Sequence, residues 1–146
     1  MNRRDGKAAK GIGEPADGID AFASSVLQAS VEVHRVLGPG FSEGIYEEAL
    51  AIELTSRRVS FVRQLSVAVS YKNQFLGDMR LDFLVARCLV VELKSVDQLA
   101  PVHFAQTLSY LKATRLPLAL LINFNVPVLL RGVRRVVSGL PPPESP

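Results

Sequence analysis

A single cysteine, Cys88, rules out an internal disulfide. No cysteine–histidine grouping is spaced to hold a structural zinc, so the expectation is a reducing, cytosolic setting. Secretory features are missing as well. The first eighteen residues, MNRRDGKAAKGIGEPADG, carry basic groups but no apolar stretch, so they do not read as a signal peptide. Long hydrophobic runs are also lacking: the longest, LPLALLI from Leu116 to Ile122, falls far short of the ~20 residues that a membrane helix needs. No internal repeat is present. Charge of either sign is modest. The net value is +3, and it is unchanged after removal of residues 1–18 (four basic, three acidic) and 140–146 (one acidic). A mildly basic domain of this kind permits contact with polyanions without requiring it.

What is present suits one domain with one core: 146 residues, 48% of them hydrophobic. Residues 1–18, rich in Gly, Ala, Lys and Asp without periodicity, read as a disordered leader; residues 19–139 read as the folded domain and 140–146 as a Pro-rich disordered tail. Asp20 is placed to cap a first helix, with Phe22, Val26, Ala29, Val33 and Leu37 at three- and four-residue spacing and LGPG ending it. Ser42 is placed to cap a second. Its apolar stripes, Ile45, Ala49 and Ile52 beside Tyr46, Leu50 and Leu54, suggest a central, largely buried helix.

The period then becomes two. Strands are expected over Leu65–Tyr71, Phe75–Val85 and Leu89–Lys94, with a tight turn at Lys72-Asn73. A third helix is expected over Ala100–Lys112, and a strand covered on both faces over Leu116–Asn123. A last strand or hairpin is expected over Val126–Leu130 and Gly132–Val137. The order α-α-β-β-β-α-β describes a mixed α/β sandwich, and the helix between strands implies some parallel pairing.

The stretch LDFLVARCLVVELK, Leu81 to Lys94, sets Asp82, Glu92 and Lys94 inside apolar strands. Charges there need a partner or a metal. Alternation puts Asp78, Arg80, Asp82 and Leu84 on one side of their strand, and Met79, Leu81, Phe83 and Val85 on the other. A two-residue loop at Ala86-Arg87 would send the two acids to opposite faces. A three-residue loop, Ala86 to Cys88, would set Asp82 directly against Glu92, within roughly 5 Å at the Cβ level, and is the register adopted here although the loop has no glycine. Two carboxylates that close would raise one pKa or recruit a hard divalent cation, magnesium or manganese, and Lys94 would add positive charge for phosphoryl-transfer chemistry. The plainer alternative pairs Asp82 with Arg80, and Glu92 with Lys94 along an edge strand. Glu43 lies on an inward-tending stripe of the second helix, with a first-turn acid at the helix dipole as its alternative. Gln106 and Tyr110, four apart, share a face of the third helix.

These residues together carry a resemblance. GFSEGIY, Gly40 to Tyr46, matches the G-x-x-E-x-x-Y signature of a family of small bacterial proteins, and VHRVLGPGFSEGIYEEAL, LDFLV, VVELKS, HFAQTLSYLKAT and LALLINFN resemble its blocks in order from about Asp20 to Val137. The GxxExxY family belongs to the PD-(D/E)XK nuclease-like superfamily. The resemblance implies a restriction-endonuclease-like fold, a mixed four- to five-stranded sheet flanked by helices. It implies that Asp82 and Glu92 are metal ligands with Glu43, and that Glu92-Leu93-Lys94 is the (D/E)-X-K element. Gln106 and Tyr110 resemble the Q-x-x-x-Y motif of the RecB-like and lambda-exonuclease-like branch. The implied activity is Mg2+- or Mn2+-dependent hydrolysis of DNA or RNA by a cytoplasmic, non-membrane protein, with a homodimer or a partner protein supplying specificity. A non-catalytic nucleic-acid- or protein-binding module on the same fold is the alternative. Leu81 stands where the motif's name has proline.

Of the remaining residues, His34 reads as a helix-surface or capping histidine. His103 reads as a neighbour of Gln106 within reach of phosphate. Arg131, Arg134 and Arg135 read as a basic cluster open to phosphate contact.

Overall fold

The computed structural model describes residues 13–139, and the side chains of 18–139. The tail at 140–146 and residues 1–12 of the leader lie outside the described residues. Helix α1 spans Gly13–Leu37 and α2 Glu43–Ser56. Strands β1 (Phe61–Tyr71), β2 (Gln74–Val85) and β3 (Leu89–Lys94) follow, then α3 (Pro101–Thr114), β4 (Leu118–Asn123), a 3-10 turn at Leu129–Gly132 and β5 (Val133–Val137). The sheet order is β1-β2-β3-β4-β5. Only β3 and β4 are parallel, as the α3 crossover between them requires. The fold is a mixed α/β sandwich.

Two helices cover one face. Val26, Ala29 and Val33 of α1 and Tyr46, Leu50 and Leu54 of α2 pack on Phe83, Val85, Val91, Leu93, Leu120 and Ile122. On the other face, Tyr110 and Leu111 of α3 pack on Leu81, Val90 and Ala119. With both faces covered, β3 and β4 are buried almost throughout.

Several expectations are corrected. Helix α1 begins at Gly13, ahead of Asp20, because Pro15 falls in the first turn, where its missing N–H costs nothing. In α2 the Tyr46, Leu50 and Leu54 stripe is buried with Ala51, while the Ile45 and Ile52 stripe is not. Ile45 is 46% exposed and Ile52 70%, since α1 and the sheet meet this helix from one side. Ser42 is the N-cap residue of α2, with no side-chain cap bond. Strand β4 starts at Leu118, after Pro117. The segment expected as a strand over Val126–Leu130 is loop and 3-10 turn. His34 is buried rather than on the surface, and its Nε2–H donates to the Val126 carbonyl at 2.8 Å, fastening this segment to α1.

Gly132 closes this segment against the sheet. A Cβ there would stand 2.2 Å from the Asn123 carbonyl oxygen, so only glycine fits without moving backbone. Gly132→Ala is expected to cost about 1–3 kcal/mol, measured as a lower urea midpoint. A midpoint equal to wild type would contradict the close approach.

Candidate active site

The β2–β3 hairpin is closed by Ala86, Arg87 and Cys88. Ala86 (φ 51°) and Arg87 (φ 62°) take left-handed conformations without glycine. The pairs Phe83–Val91, Leu84–Val90 and Val85–Leu89 follow from this three-residue loop, and their register aligns Asp82 with Glu92. The backbone ladder itself stops one pair short of them. There each carboxylate takes the place of a main-chain acceptor: the Asp82 N–H donates to Glu92 Oε2 at 2.8 Å, and the Leu93 N–H donates to Asp82 Oδ2 at 2.8 Å. The two acids therefore sit in a parting of the sheet, each fixed by the other's strand.

A kink in β1 lies beside that parting. Gln64 has φ 52°, and between Arg63–Phe83 and Leu65–Leu81 both Gln64 and the facing Asp82 have no partner in the ladder. Gln64 Nε2 donates to Glu47 Oε1 at 2.9 Å and to Asp82 Oδ1 at 3.4 Å, linking α2 to the acid pair. Both strands change face at this point. In β1 Phe61 packs with the α1–α2 cluster but Leu65 and Val67 with the α3 cluster; in β2 Met79 and Leu81 pack with the α3 cluster and Phe83 and Val85 with the α1–α2 cluster, so the single side expected for all four is corrected. In β1 the left-handed Gln64 breaks the alternation, and in β2 the break falls at Asp82, the unpaired residue facing it.

The other implied residues gather around the acids. Lys94, two after Glu92 on β3, donates from Nζ to Gln106 Oε1 at 3.3 Å. Tyr110, one turn beyond Gln106, is buried beneath α3 while Gln106 is exposed. Glu43 opens α2 and is exposed rather than inward, yet its charge is felt by both Asp82 and Glu92. Asp82 makes no ion pair with Arg80, nor Glu92 with Lys94, among the described residues. β3 is a central strand, which removes the edge-strand alternative.

Electrostatically the site is short of positive charge. Glu92 is 3% exposed; burial and the neighbouring Asp82 charge push its carboxyl up to about 8. Burial likewise raises Asp82, with Glu43 adding to the rise and the Leu93 N–H, Gln64 and Lys94 opposing it. Tyr110 is pushed up to about 12 by burial and by the charges of Glu92 and Asp82, so it stays a neutral O–H donor.

The residues present suit a hard divalent cation. Glu92 Oε1 takes no hydrogen bond among the described residues, and both carboxylates would gain from a positive neighbour. Two carboxylates with water and substrate oxygens are a usual set for Mg2+. Among the described residues no group of three or more His, Cys, Asp or Glu is disposed to hold a metal.

Supporting residues that sequence reasoning missed lie behind this front. Tyr46 stacks on Phe124 with ring centroids 4.5 Å apart, donates to the Gly38 carbonyl and accepts from the Phe41 N–H at 3.2 Å. It thereby shapes the loop in which Gly38 (φ 70°) and Gly40 (φ 107°) turn the chain into α2. Ser95 Oγ donates to the Phe41 carbonyl, tying that loop to the residue after Lys94. Asn123 accepts from the Val96 N–H and donates to the Val96 carbonyl, holding the exit of β3. A polar residue closing the apolar run LALLIN was the signal for Asn123, and the lost alternation in SFVRQL was the signal for Gln64. His103 is turned to structure: its Nδ1 accepts the Ala100 N–H at the start of α3. Cys88, its thiol raised by burial, is no nucleophile.

Tyr46→Phe keeps the stack and deletes the hydroxyl from both bonds. A loss of about 1–2 kcal/mol is expected, read by thermal melting. An unchanged melting temperature would mean that the loop does not depend on the hydroxyl.

A mixed sheet between helices, parted at its second and third strands around an acid pair followed by a lysine, defines a restriction-endonuclease-like nuclease fold. The chain belongs to the PD-(D/E)XK nuclease superfamily, whose family model matches residues 20–136. Nucleases of this superfamily generally use divalent metals. No curated protein and no solved structure matches the chain significantly. Among the described residues no helix is long and apolar enough to cross a membrane.

Proposed function

We propose that the chain is a divalent-metal-dependent nuclease that hydrolyses phosphodiester bonds in DNA or RNA. The observation that carries this reading is the reciprocal seating of Asp82 and Glu92 in the parted sheet, with Lys94 next along the same side of β3. Asp82 and Glu92 would hold Mg2+ or Mn2+, with Glu43 contributing through water. When bound, the cation supplies Lewis-acid polarisation and a more acidic bound water. Lys94 orients the attacking water and offsets charge developing on the phosphoryl oxygens. Gln106 holds the Lys94 ammonium in place, and the buried Tyr110 keeps a neutral hydroxyl near the acids. The motif at Gly40, Glu43 and Tyr46 supports membership of the GxxExxY branch, in which Tyr46 acts through the loop it shapes. The lone Cys88 fits a reducing, cytoplasmic setting. The described domain has little room for a sequence-reading element of its own, and a second copy or a partner protein is proposed to supply specificity.

The test is incubation of the purified protein with single-stranded, duplex and branched DNA and RNA, in Mg2+, Mn2+ or EDTA. Cleavage that EDTA abolishes is expected; no cleavage of any substrate in either metal overturns the proposal. One observation favours a second reading, a binding module without hydrolysis: among the described residues no third acid joins Asp82 and Glu92 in a metal-holding group. Calorimetric titration with Mn2+ separates the two, since the module predicts no binding at millimolar metal.

A further inference from the structure

The acid pair lies on a row that continues across the sheet. Glu92 is aligned with Leu121 on β4, and Leu121 with Arg134 on β5. Two strand spacings separate Glu92 from Arg134, roughly 10 Å. The faces agree as well. Ala119 and Val136 pack with Tyr110 and Leu111 on the α3 side, so Leu121 and Arg134, each two residues away in its strand, face that side too. Arg135 points the other way and pairs with Asp20 of α1 at 3.1 Å.

Arg134 and Arg131 line a cleft of about 380 Å³ between β5, Phe104 of α3 and the loop after β3. Neither arginine makes an ion pair among the described residues. Arg134 Nη1 donates to the carbonyls of Arg131 (3.0 Å) and Val133 (2.8 Å), so one edge of its guanidinium is anchored and the rest is available. Gly132 holds the segment flush against Asn123, which fixes where both side chains leave the backbone. Asp97 is the one acid among the lining residues, and its carboxylate accepts from Asn125 Nδ2 at 3.4 Å. Two arginines with unspent charge on one wall, one of them oriented in advance, suit a phosphate.

We propose that the Arg131–Arg134 cleft seats a backbone phosphate of the nucleic-acid strand whose scissile bond lies at Asp82, Glu92 and Lys94. This rests on the nuclease reading of that site. The cleft positions the strand and reads no sequence, since a phosphate contact carries none.

The experiment is fluorescence anisotropy of a labelled single-stranded DNA and its RNA counterpart, in EDTA, across a salt series. Arg131→Ala with Arg134→Ala is expected to weaken binding on the order of tenfold and to flatten the salt slope by about 0.7 for each phosphate left without its arginine. Arg135→Ala, next along the same strand but on the other face, is expected to bind as wild type does. Should the alanine pair fail to fold, Arg131→Gln with Arg134→Gln keeps the length and polarity and is read the same way. A wild-type slope in the double variant, or an equal loss in Arg135→Ala, overturns the cleft while metal-dependent cleavage by wild type leaves the nuclease reading standing. The expected slope change in a protein that cleaves nothing supports the cleft and removes the nuclease. Binding of neither DNA nor RNA by wild type overturns both.

Discussion

Asp82→Asn is expected to lower metal-dependent cleavage by at least about 10²–10³-fold, the scale set by removing one electrostatic group from a preorganised site, without unfolding the domain. Asparagine matches aspartate in shape, and its amide oxygen can still accept the Leu93 N–H. What disappears is a negative charge that sits beside Glu92 in a buried place and raises the Glu92 carboxyl. Activity and stability should therefore part company: cleavage falls while the thermal midpoint holds or rises. Lys94→Ala should cause a similar loss of cleavage. Its structural cost is small, because the ammonium makes one hydrogen bond, to an exposed glutamine. Single-turnover cleavage measured beside a thermal melt checks both. A variant within tenfold of wild type would remove its residue from the chemistry, and a joint loss of activity and fold would make its role structural.

The second large effect concerns pH. The Glu92 carboxyl is raised to about 8 in the folded protein, against 4.5 for the ordinary group. Between these values the folded chain keeps a proton that the unfolded chain has released. Stability therefore falls as pH rises through this window, with a slope approaching about 1.4 kcal/mol per pH unit, and levels off above pH 8. Below the ordinary pKa the stabilising contribution is complete. Urea midpoints from pH 5 to 9 in EDTA should show this decline in wild type, and a much flatter profile in Glu92→Gln. The raised Asp82 adds a decline of the same sign that the variant retains. Millimolar Mn2+ should raise the wild-type midpoint more at pH 8 than at pH 5, because at the lower pH it must displace the proton. Parallel profiles for wild type and Glu92→Gln would mean that the buried carboxyl ionises as it does in water.

Much of this site was legible in the letters. Charged residues inside apolar strands are costly enough that their presence is itself informative, and that cost marked Asp82, Glu92 and Lys94. Counting left two hairpin registers open, and the three-residue one that sets position 82 against 92 is the one the structure shows, with Ala86 and Arg87 supplying the left-handed turn without glycine. Lys72 (φ 49°) and Asn73 (φ 64°) form the expected tight turn of the β1–β2 hairpin. Gln106 and Tyr110 share one face of α3, as their spacing required; that this face meets Lys94 and the acids was not legible from spacing.

Other features had no local cause. The kink at Gln64 departs from strand geometry, and no propensity in RQL demands it; the contacts to Glu47 and Asp82 hold it. Strand β1 therefore begins at Phe61, before the position from which alternation could be followed. The stripe of Ile45 and Ile52 has a buried helix's composition, yet the packing partners stop short of it. His34 is polar in sequence and buried in space because a carbonyl ninety-two residues later meets it.

The sequence alone determined the order of helices and strands and marked the charged residues inside them, because periodicity and the cost of buried charge act within a few residues. Only the tertiary structure decided between the two loop lengths, parted the sheet at the acid pair, pushed the Glu92 carboxyl up to about 8 by burial, and put Arg134 on the α3 side of β5 while Arg135 pairs with Asp20. Those outcomes depend on desolvation and on which elements cover each face, and both arise only when segments distant in the chain come together.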